Sequence, residues 1–119
     1  MSVTRMLAAA ANYWEYPNSP VDANGDPIDP SGLPVVFAAV DPGLAVADTW
    51  AGIVTQAADT ATGSWEGPDD SGVYVARVLV SGPGGGGDLV LTVGDWRMVC
   101  QITSTPERPV DDTGTLRLI

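Results

Sequence analysis

The chain has 119 residues, a length that supports one domain with one core. Its fifteen acidic side chains outnumber five arginines, lysine and histidine are missing, and the formal net charge is −10. That charge disfavours a nucleic-acid partner. The missing residues remove the commonest general base, the usual zinc ligands and Schiff-base chemistry. The 14 glycines and 10 prolines predict many short elements joined by turns.

Residues 1–11 are predicted to form a short N-terminal arm ahead of a single domain at 12–119. The apolar patch from Met6 to Ala11 favours helix, but eleven residues are marginal as an isolated helix. The segment is therefore expected to be either a frayed terminus or an arm that becomes ordered on a partner. The patch is too short to cross a membrane, and no longer apolar stretch follows it. We therefore expect a chain made in the cytoplasm that does not associate with a membrane.

The aromatic residues Tyr13, Trp14 and Tyr16 follow in a strand-like segment that contains Pro17 and Pro20. Proline cannot donate a hydrogen bond to a sheet, so this strand is predicted to be irregular or to lie at a sheet edge. Trp14 is expected near the surface. Aromatic side chains beside an arm are good anchors, and these three are the predicted partner-binding residues. The alternative is an edge strand that closes one end of the domain.

The middle of the chain gives mixed signals. Asn24-Gly25 is typical of a two-residue hairpin turn. The apolar run Leu33–Val40 predicts a strand that is buried on both faces, and the residues from Asp41 to Gly43 predict a turn. Residues 49–56 have some helical spacing, but their threonines and glycine favour a strand. Residues 59–63 are expected to form a loop.

The second half of the chain reads as a series of strands. Residues 64–66 predict a short strand, and GPDDSG predicts a turn. Three longer strands follow, with the sequences VYVARVLV (73–80), DLVLTVGDWRMVCQIT (88–103) and TLRLI (115–119). The turns SGPGGGG and STPERPVDDTG separate them. Residues 84–87 are expected at the flexible, exposed tip of a hairpin.

Side chains alternate across a strand, and the 88–103 run shows this alternation clearly. One face carries the apolar residues Trp96, Met98, Cys100 and Ile102. The other face carries Arg97, Gln101 and Thr103, with Val99 as the exception. Seven to eight short strands of this kind predict an all-β, antiparallel sandwich. A closed barrel is the alternative.

The tryptophans and leucines of these strands are assigned to the core. Trp96, Leu79 and Leu116 are expected to hold the two layers together, and Trp50 and Trp65 are expected to pack against each other across facing sheets.

No catalytic, cofactor-binding or metal-binding motif is recognisable. The GPGGGG run lacks the lysine and the following helix of a phosphate-binding loop. Cys100 is alone, so it cannot form an internal disulfide, and it is expected to be a buried thiol. A calcium-loop pattern that starts at Asp22 fails, because Pro27 and Leu33 occupy the glycine and glutamate positions. Many acids lie in predicted turns, where aspartate normally binds the local backbone: Asp22, Asp26, Asp29, Asp69, Asp70, Asp111 and Asp112. We expect a protein that is not an enzyme and has no cofactor.

Three segments, in this order, resemble small proteins encoded among the virion structural genes of actinobacterial tailed phages. They are DANGDPIDPSGLPVVFAAV, the tryptophans Trp50 and Trp65 followed by VYVARVLVSGPGG, and LTVGDWRMVCQITSTPERPVDDTGTLRLI. Together they cover nearly the whole chain, and the third is the most specific. Trp96 stands where the family often has tyrosine, and Cys100 stands where tryptophan or another apolar residue is common.

The resemblance implies an immunoglobulin-like sandwich located in the virion, with no catalytic residues. The leading expectation is a capsid accessory or decoration protein that binds the major capsid protein. A position in the head–tail connector, neck or tail is the alternative, as is a carbohydrate-binding module on the tail. The expected partners are other virion proteins, with self-association as a further option.

Overall fold

The computed structural model describes residues 3–18, 24–45, 47–103 and 110–119, which form two β-sheets packed face to face. The described residues contain nine strands, one α-helix and a 3-10 turn at Pro30–Gly32. The strands are β1 Val3–Met6, β2 Asn12–Asn18, β3 Val35–Val40, β4 Asp59–Thr62, β5 Ser64–Glu66, β6 Tyr74–Ser81, β7 Leu89–Val90, β8 Gly94–Ile102 and β9 Val110–Leu118, and the helix is α1 Trp50–Gln56. The predicted all-β sandwich is confirmed at this level.

The five-stranded sheet, here called sheet A, has the strand order β1-β9-β8-β3-β4. The four-stranded sheet, sheet B, has the order β2-β6-β5, with β7 paired to β6. Most neighbours are antiparallel, as predicted. However, β1 runs parallel to β9 and β7 runs parallel to β6, so both sheets are mixed. Strand β2 lies at the edge of sheet B, which confirms the edge position predicted from Pro17.

The interior of the sandwich is filled by alternate residues from both sheets. The buried side chains from sheet A are Val35, Phe37, Ala39, Met98, Cys100, Ile102, Leu116 and Leu118. Those from sheet B are Trp14, Ala76, Val78, Val80 and Leu89, and Leu91 follows directly after β7. The predicted inward face of β8 is thus confirmed for Met98, Cys100 and Ile102. Trp96 is half-buried at the margin of this cluster, and Leu79 is half-buried outside it.

The N-terminal residues that were expected in an arm form part of the sandwich. Val3–Met6 is a strand in parallel register with β9, from Val3 opposite Thr115 to Met6 opposite Leu118. Met6 also packs against the interior cluster. A four-residue strand has no stability alone, so only the distant partner β9 makes this segment extended.

Residues 50–56, predicted as a strand, instead form the helix α1. Thr49 is the N-terminal cap of this helix, because its hydroxyl accepts a hydrogen bond from the Gly52 amide at 3.2 Å. The helix buries Ile53 against the outer face of sheet A, where it contacts Ala38, Val40 and Val99. Trp50 packs with this outer cluster and Trp65 with the interior cluster, so the predicted Trp50–Trp65 contact is wrong.

Residues 59–62, expected to form a loop, are the edge strand β4 of sheet A. The chain then crosses at Gly63 to sheet B, where the predicted short strand 64–66 is confirmed as β5. A Cβ on Gly63 would lie 2.7 Å from both the Arg77 carbonyl oxygen and the Phe37 ring. Only glycine therefore fits at this crossing.

The glycine-rich segment after β6 is not a hairpin. The chain returns so that β7 runs parallel to β6, with Leu89 opposite Val80. The buried Ser81 hydroxyl holds the loop, because it accepts a hydrogen bond from the Gly87 amide at 2.9 Å and donates one to the Gly82 carbonyl at 2.8 Å. The predicted single strand 88–103 is correspondingly divided into β7 and β8.

Two predicted turns have different outcomes. The turn at Asp41–Gly43 is confirmed by a hydrogen bond of 3.0 Å from the Leu44 amide to the Asp41 carbonyl. Gly25 has a turn conformation with a φ of 83°, but β2 and β3 on either side belong to different sheets, so they do not form a hairpin. Pro20, Asp22 and most of the turn between β8 and β9 lie outside the described residues.

Candidate docking surface

The three aromatic residues predicted to bind a partner lie on β2, but they have different environments. Trp14 was placed near the surface; that placement is wrong, because its side chain is only 4% exposed. Its indole N–H donates to the Thr113 hydroxyl at 2.9 Å, and that hydroxyl donates to the Met98 carbonyl at 2.9 Å. Trp14 therefore joins β2 to β8 and β9, and very little of its side chain is exposed to a partner.

Tyr13 points to the opposite side of β2 and is 43% exposed. The Arg77 guanidinium lies 4.0 Å from the centre of its ring, a favourable cation–π contact. Arg77 is fixed in turn by an ion pair of 2.7 Å with Glu66 on β5. An exposed aromatic ring held in place by its neighbours loses little entropy on binding, so Tyr13 is suited to contact a partner.

Tyr16 is half-buried and faces the interior of the sandwich. Burial is the main cause that raises the pKa of its phenol, and the neighbouring Asp111 carboxylate, to which it is hydrogen-bonded, raises it further. The Tyr16 hydroxyl therefore remains a donor to Asp111 near neutral pH. This interaction ties β2 to β9, so the structure gives Tyr16 a clear internal role. Its predicted role in partner binding remains a prediction.

A groove separates β1 at the edge of sheet A from β2 at the edge of sheet B. Its larger part, of about 490 Å³, is lined by Arg5, Met6, Leu7, Asn12, Tyr13 and Glu15. Its smaller part, of about 270 Å³, reaches Thr4, Trp14 and Thr113. We call these two parts together the N-terminal groove. Leu7 is 59% exposed at its rim, so two large apolar side chains, Leu7 and Tyr13, meet solvent here.

A second, open depression of about 530 Å³ lies at the end of sheet A where β8 begins and β9 ends. Trp96, Asp41, Asp95 and Arg117 are among its lining residues. Arg117 donates to both carboxylate oxygens of Asp95, at 2.8 and 3.2 Å. These hydrogen bonds lower the pKa of Asp95, so both groups stay charged near neutral pH. The Trp96 ring is fixed by a 3.0 Å hydrogen bond from its N–H to the Thr92 carbonyl.

Two carboxylates in turns have backbone partners. Asp29 accepts a hydrogen bond from the Ser31 amide, and Asp69 accepts two from the amides of Ser71 and Val73. These bonds confirm the predicted role of turn aspartates for these two residues. By contrast, Asp111 and Asp112, which were also assigned to a turn, lie in β9.

The thiol of Cys100 is shielded from solvent. Burial raises the pKa of the Cys100 thiol to about 12, so it is neutral and unreactive in the folded chain. The described part of the chain has no group of three or more cysteine and acidic side chains that could hold a metal ion. Within the same ranges, no helix has the length and apolar character needed to span a membrane.

No family model, curated protein or solved structure matches this chain. The site must therefore be interpreted from its own geometry. Sequence reasoning found Tyr13 but missed the groove, because β1 was not recognised as a strand. The four residues Val3–Met6 are too few to indicate a strand, and only Met6 among them is partly buried.

Proposed function

We propose that this chain is a structural protein of a tailed-phage virion, and most simply a capsid decoration protein that docks on the capsid lattice. The observation that carries the proposal is the N-terminal groove. It places two sheet edges, the exposed Leu7 and the fixed Tyr13 on one side of a rigid sandwich. Open sheet edges with apolar side chains are typical sites of protein association. The resemblance of three sequence segments to virion proteins supplies the context.

We further propose that the sandwich is immunoglobulin-like. In constant-type immunoglobulin domains, strands A, B, E and D form one sheet and C, F and G form the other. We assign the immunoglobulin strand letters B, C, D, E, F and G to β2, β3, β5, β6, β8 and β9, in that order. The four-stranded sheet then has the strand order B-E-D, and the five-stranded sheet contains the strand order G-F-C. Trp14, Phe37 and Cys100 are then buried residues on strands B, C and F. In antibody domains, strands B and F carry the inter-sheet disulfide and strand C carries the core tryptophan.

Charge and chemistry support a binding role over a catalytic one. The net charge of −10 suits attachment to a protein surface that carries basic groups, and it opposes contact with packaged DNA. Asp95, Asp112 and Glu66 are engaged in ion pairs with arginines. The hydrogen bonds from Arg117 lower the pKa of Asp95, so this carboxylate is a poor general base.

The position in the particle is tested by counting copies in purified virions of the phage that encodes the chain, using quantitative mass spectrometry. Hundreds of copies would support decoration of the capsid. About a dozen copies would instead indicate the connector or neck, where rings have low cyclic symmetry. Absence from virions would overturn the proposal.

The docking surface is tested with a matched pair of variants, Tyr13→Ser and Leu44→Ser. Both side chains are large, apolar and similarly exposed, at 43% and 48%. Tyr13 lies in the groove, whereas Leu44 lies in the turn after β3. We expect Tyr13→Ser to reduce binding to particles that lack the chain, while Leu44→Ser binds normally. Equal binding by both variants would rule out the groove.

The end depression favours a second candidate function, a carbohydrate-binding module on the tail. Its Asp95–Arg117 pair places hydrogen-bond acceptors and donors side by side, which suits the hydroxyl groups of a sugar. Trp96 adds an aromatic surface at the margin of the depression. A glycan array probed with the purified chain tests this candidate. Binding that is lost in Asp95→Asn would support it, and an array without signal would remove it.

A further inference from the structure

The backbone amide and carbonyl groups of successive β1 residues point to opposite sides of the strand. The Met6 carbonyl accepts a hydrogen bond from the Ile119 amide at 2.9 Å, and the Ala8 amide donates to the Ile119 carbonyl at 2.7 Å. Backbone groups alternate in direction along a strand, so Thr4 and Met6 bond to β9. The amide and carbonyl groups of Val3 and Arg5 therefore point away from β9. They form the open edge of sheet A, where no described strand pairs with them.

The side chains along this edge also alternate. Thr4 and Met6 face the N-terminal groove, whose floor includes the buried Trp14. Arg5 is exposed and lies next to Arg117 in the parallel register. Arg117 is neutralised by Asp95, but Arg5 has no ion pair within the described ranges. The edge therefore lies beside a groove lined by both apolar and polar side chains, and it carries the unneutralised Arg5 cation.

We propose, building on the proposed virion function, that β1 receives an extended segment of a neighbouring virion subunit as an additional strand of sheet A. Peptides that add to a sheet edge gain affinity from backbone hydrogen bonds and specificity from alternate side chains. The incoming strand places an apolar side chain in the N-terminal groove and an acidic side chain beside Arg5. Opposite charges on adjacent strands are favourable, and this cation therefore selects an acidic neighbour.

A second copy of this chain fits the edge less well. Each copy carries a net charge of −10, so two copies repel each other at close approach. A partner strand that presents Arg5 to Arg5 would add a like-charge contact. A foreign segment with an acidic residue opposite Arg5 avoids this like-charge contact.

The test compares Arg5→Pro with Arg5→Thr. Both variants remove the cation, but only proline removes the outward amide hydrogen, and neither removes a hydrogen bond to β9. Binding to phage particles that lack the chain is measured by co-sedimentation. We expect Arg5→Pro to bind about tenfold more weakly than Arg5→Thr, since proline loses one backbone hydrogen bond and its ring blocks close approach. Equal binding by the two variants would overturn strand addition.

The failures of the two proposals can be distinguished. If the unaltered chain does not bind the particles, the proposed function fails; if it binds and the two variants bind equally, only strand addition fails. Hydrogen exchange of the unaltered chain gives a second readout, independent of how well Arg5→Pro folds. The amide of Arg5 should exchange quickly in the free chain and slowly on the particle, and unchanged exchange would contradict the proposal.

Sedimentation velocity of the free chain tests whether the open edge binds a foreign segment or a second copy of the chain. A monomer is expected across the accessible concentrations. A dimer that is lost in Arg5→Pro and kept in Arg5→Thr would overturn the foreign strand and assign the edge to a second copy.

Discussion

Replacement of Trp14 by alanine should be among the most damaging single changes in this protein. The side chain is 4% exposed, and its indole N–H donates to Thr113. Truncation of a buried tryptophan costs about 3–5 kcal/mol of unfolding free energy, because a cavity remains in the core. Trp14→Phe keeps most of the apolar contact but loses the hydrogen bond, so we expect a cost of about 1–2 kcal/mol.

Trp96 provides the control, because the same substitution is made at a half-buried site. We expect Trp96→Ala to cost about 1–3 kcal/mol, since part of the ring is exposed to solvent before the change. Urea denaturation followed by circular dichroism measures all three variants. With an m-value of about 1.5 kcal/mol/M, Trp14→Ala should lower the midpoint by about 2–3 M. A smaller loss for Trp14→Ala than for Trp96→Ala would refute the assignment of Trp14 to the core.

Two further predictions follow from the burial of Cys100 and from the crossing at Gly63. Stability should fall as the pH rises from about 9 towards 12, because the pKa of the Cys100 thiol is raised from 9.0 to about 12 and only the unfolded chain then releases its proton. Cys100→Ala should show a shallower decline in urea midpoint over this range, and an identical pH profile would contradict the buried thiol. Gly63→Ala should cost about 1–3 kcal/mol, because the new methyl group would lie 2.7 Å from the Phe37 ring and the Arg77 carbonyl oxygen. Gly32→Ala is the control, since its methyl group meets nothing within 4 Å, and equal thermal melts of the two variants would refute the close approach.

The sequence determined the features that depend on local pattern and chemistry. Alternation over β8 identified the buried positions Met98, Cys100 and Ile102, because alternate side chains point to the same face of a strand. Pro17 predicted an edge or irregular strand, because it lacks an amide hydrogen to donate to a sheet, and β2 lies at an edge. Each of these inferences needs only a few neighbouring residues, so it can be made from the sequence alone.

Only the tertiary structure decided which segments found distant partners. Val3–Met6 is a strand because β9, more than a hundred residues later, lies beside it. Residues 50–56 are a helix because the outer face of sheet A offers an apolar surface for Ile53. Trp14 is buried and Trp96 half-buried because Trp14 meets both sheets, whereas Trp96 lies at the margin of the core. Such burial depends on contacts with residues remote in sequence, and a local sequence pattern carries no information about those contacts.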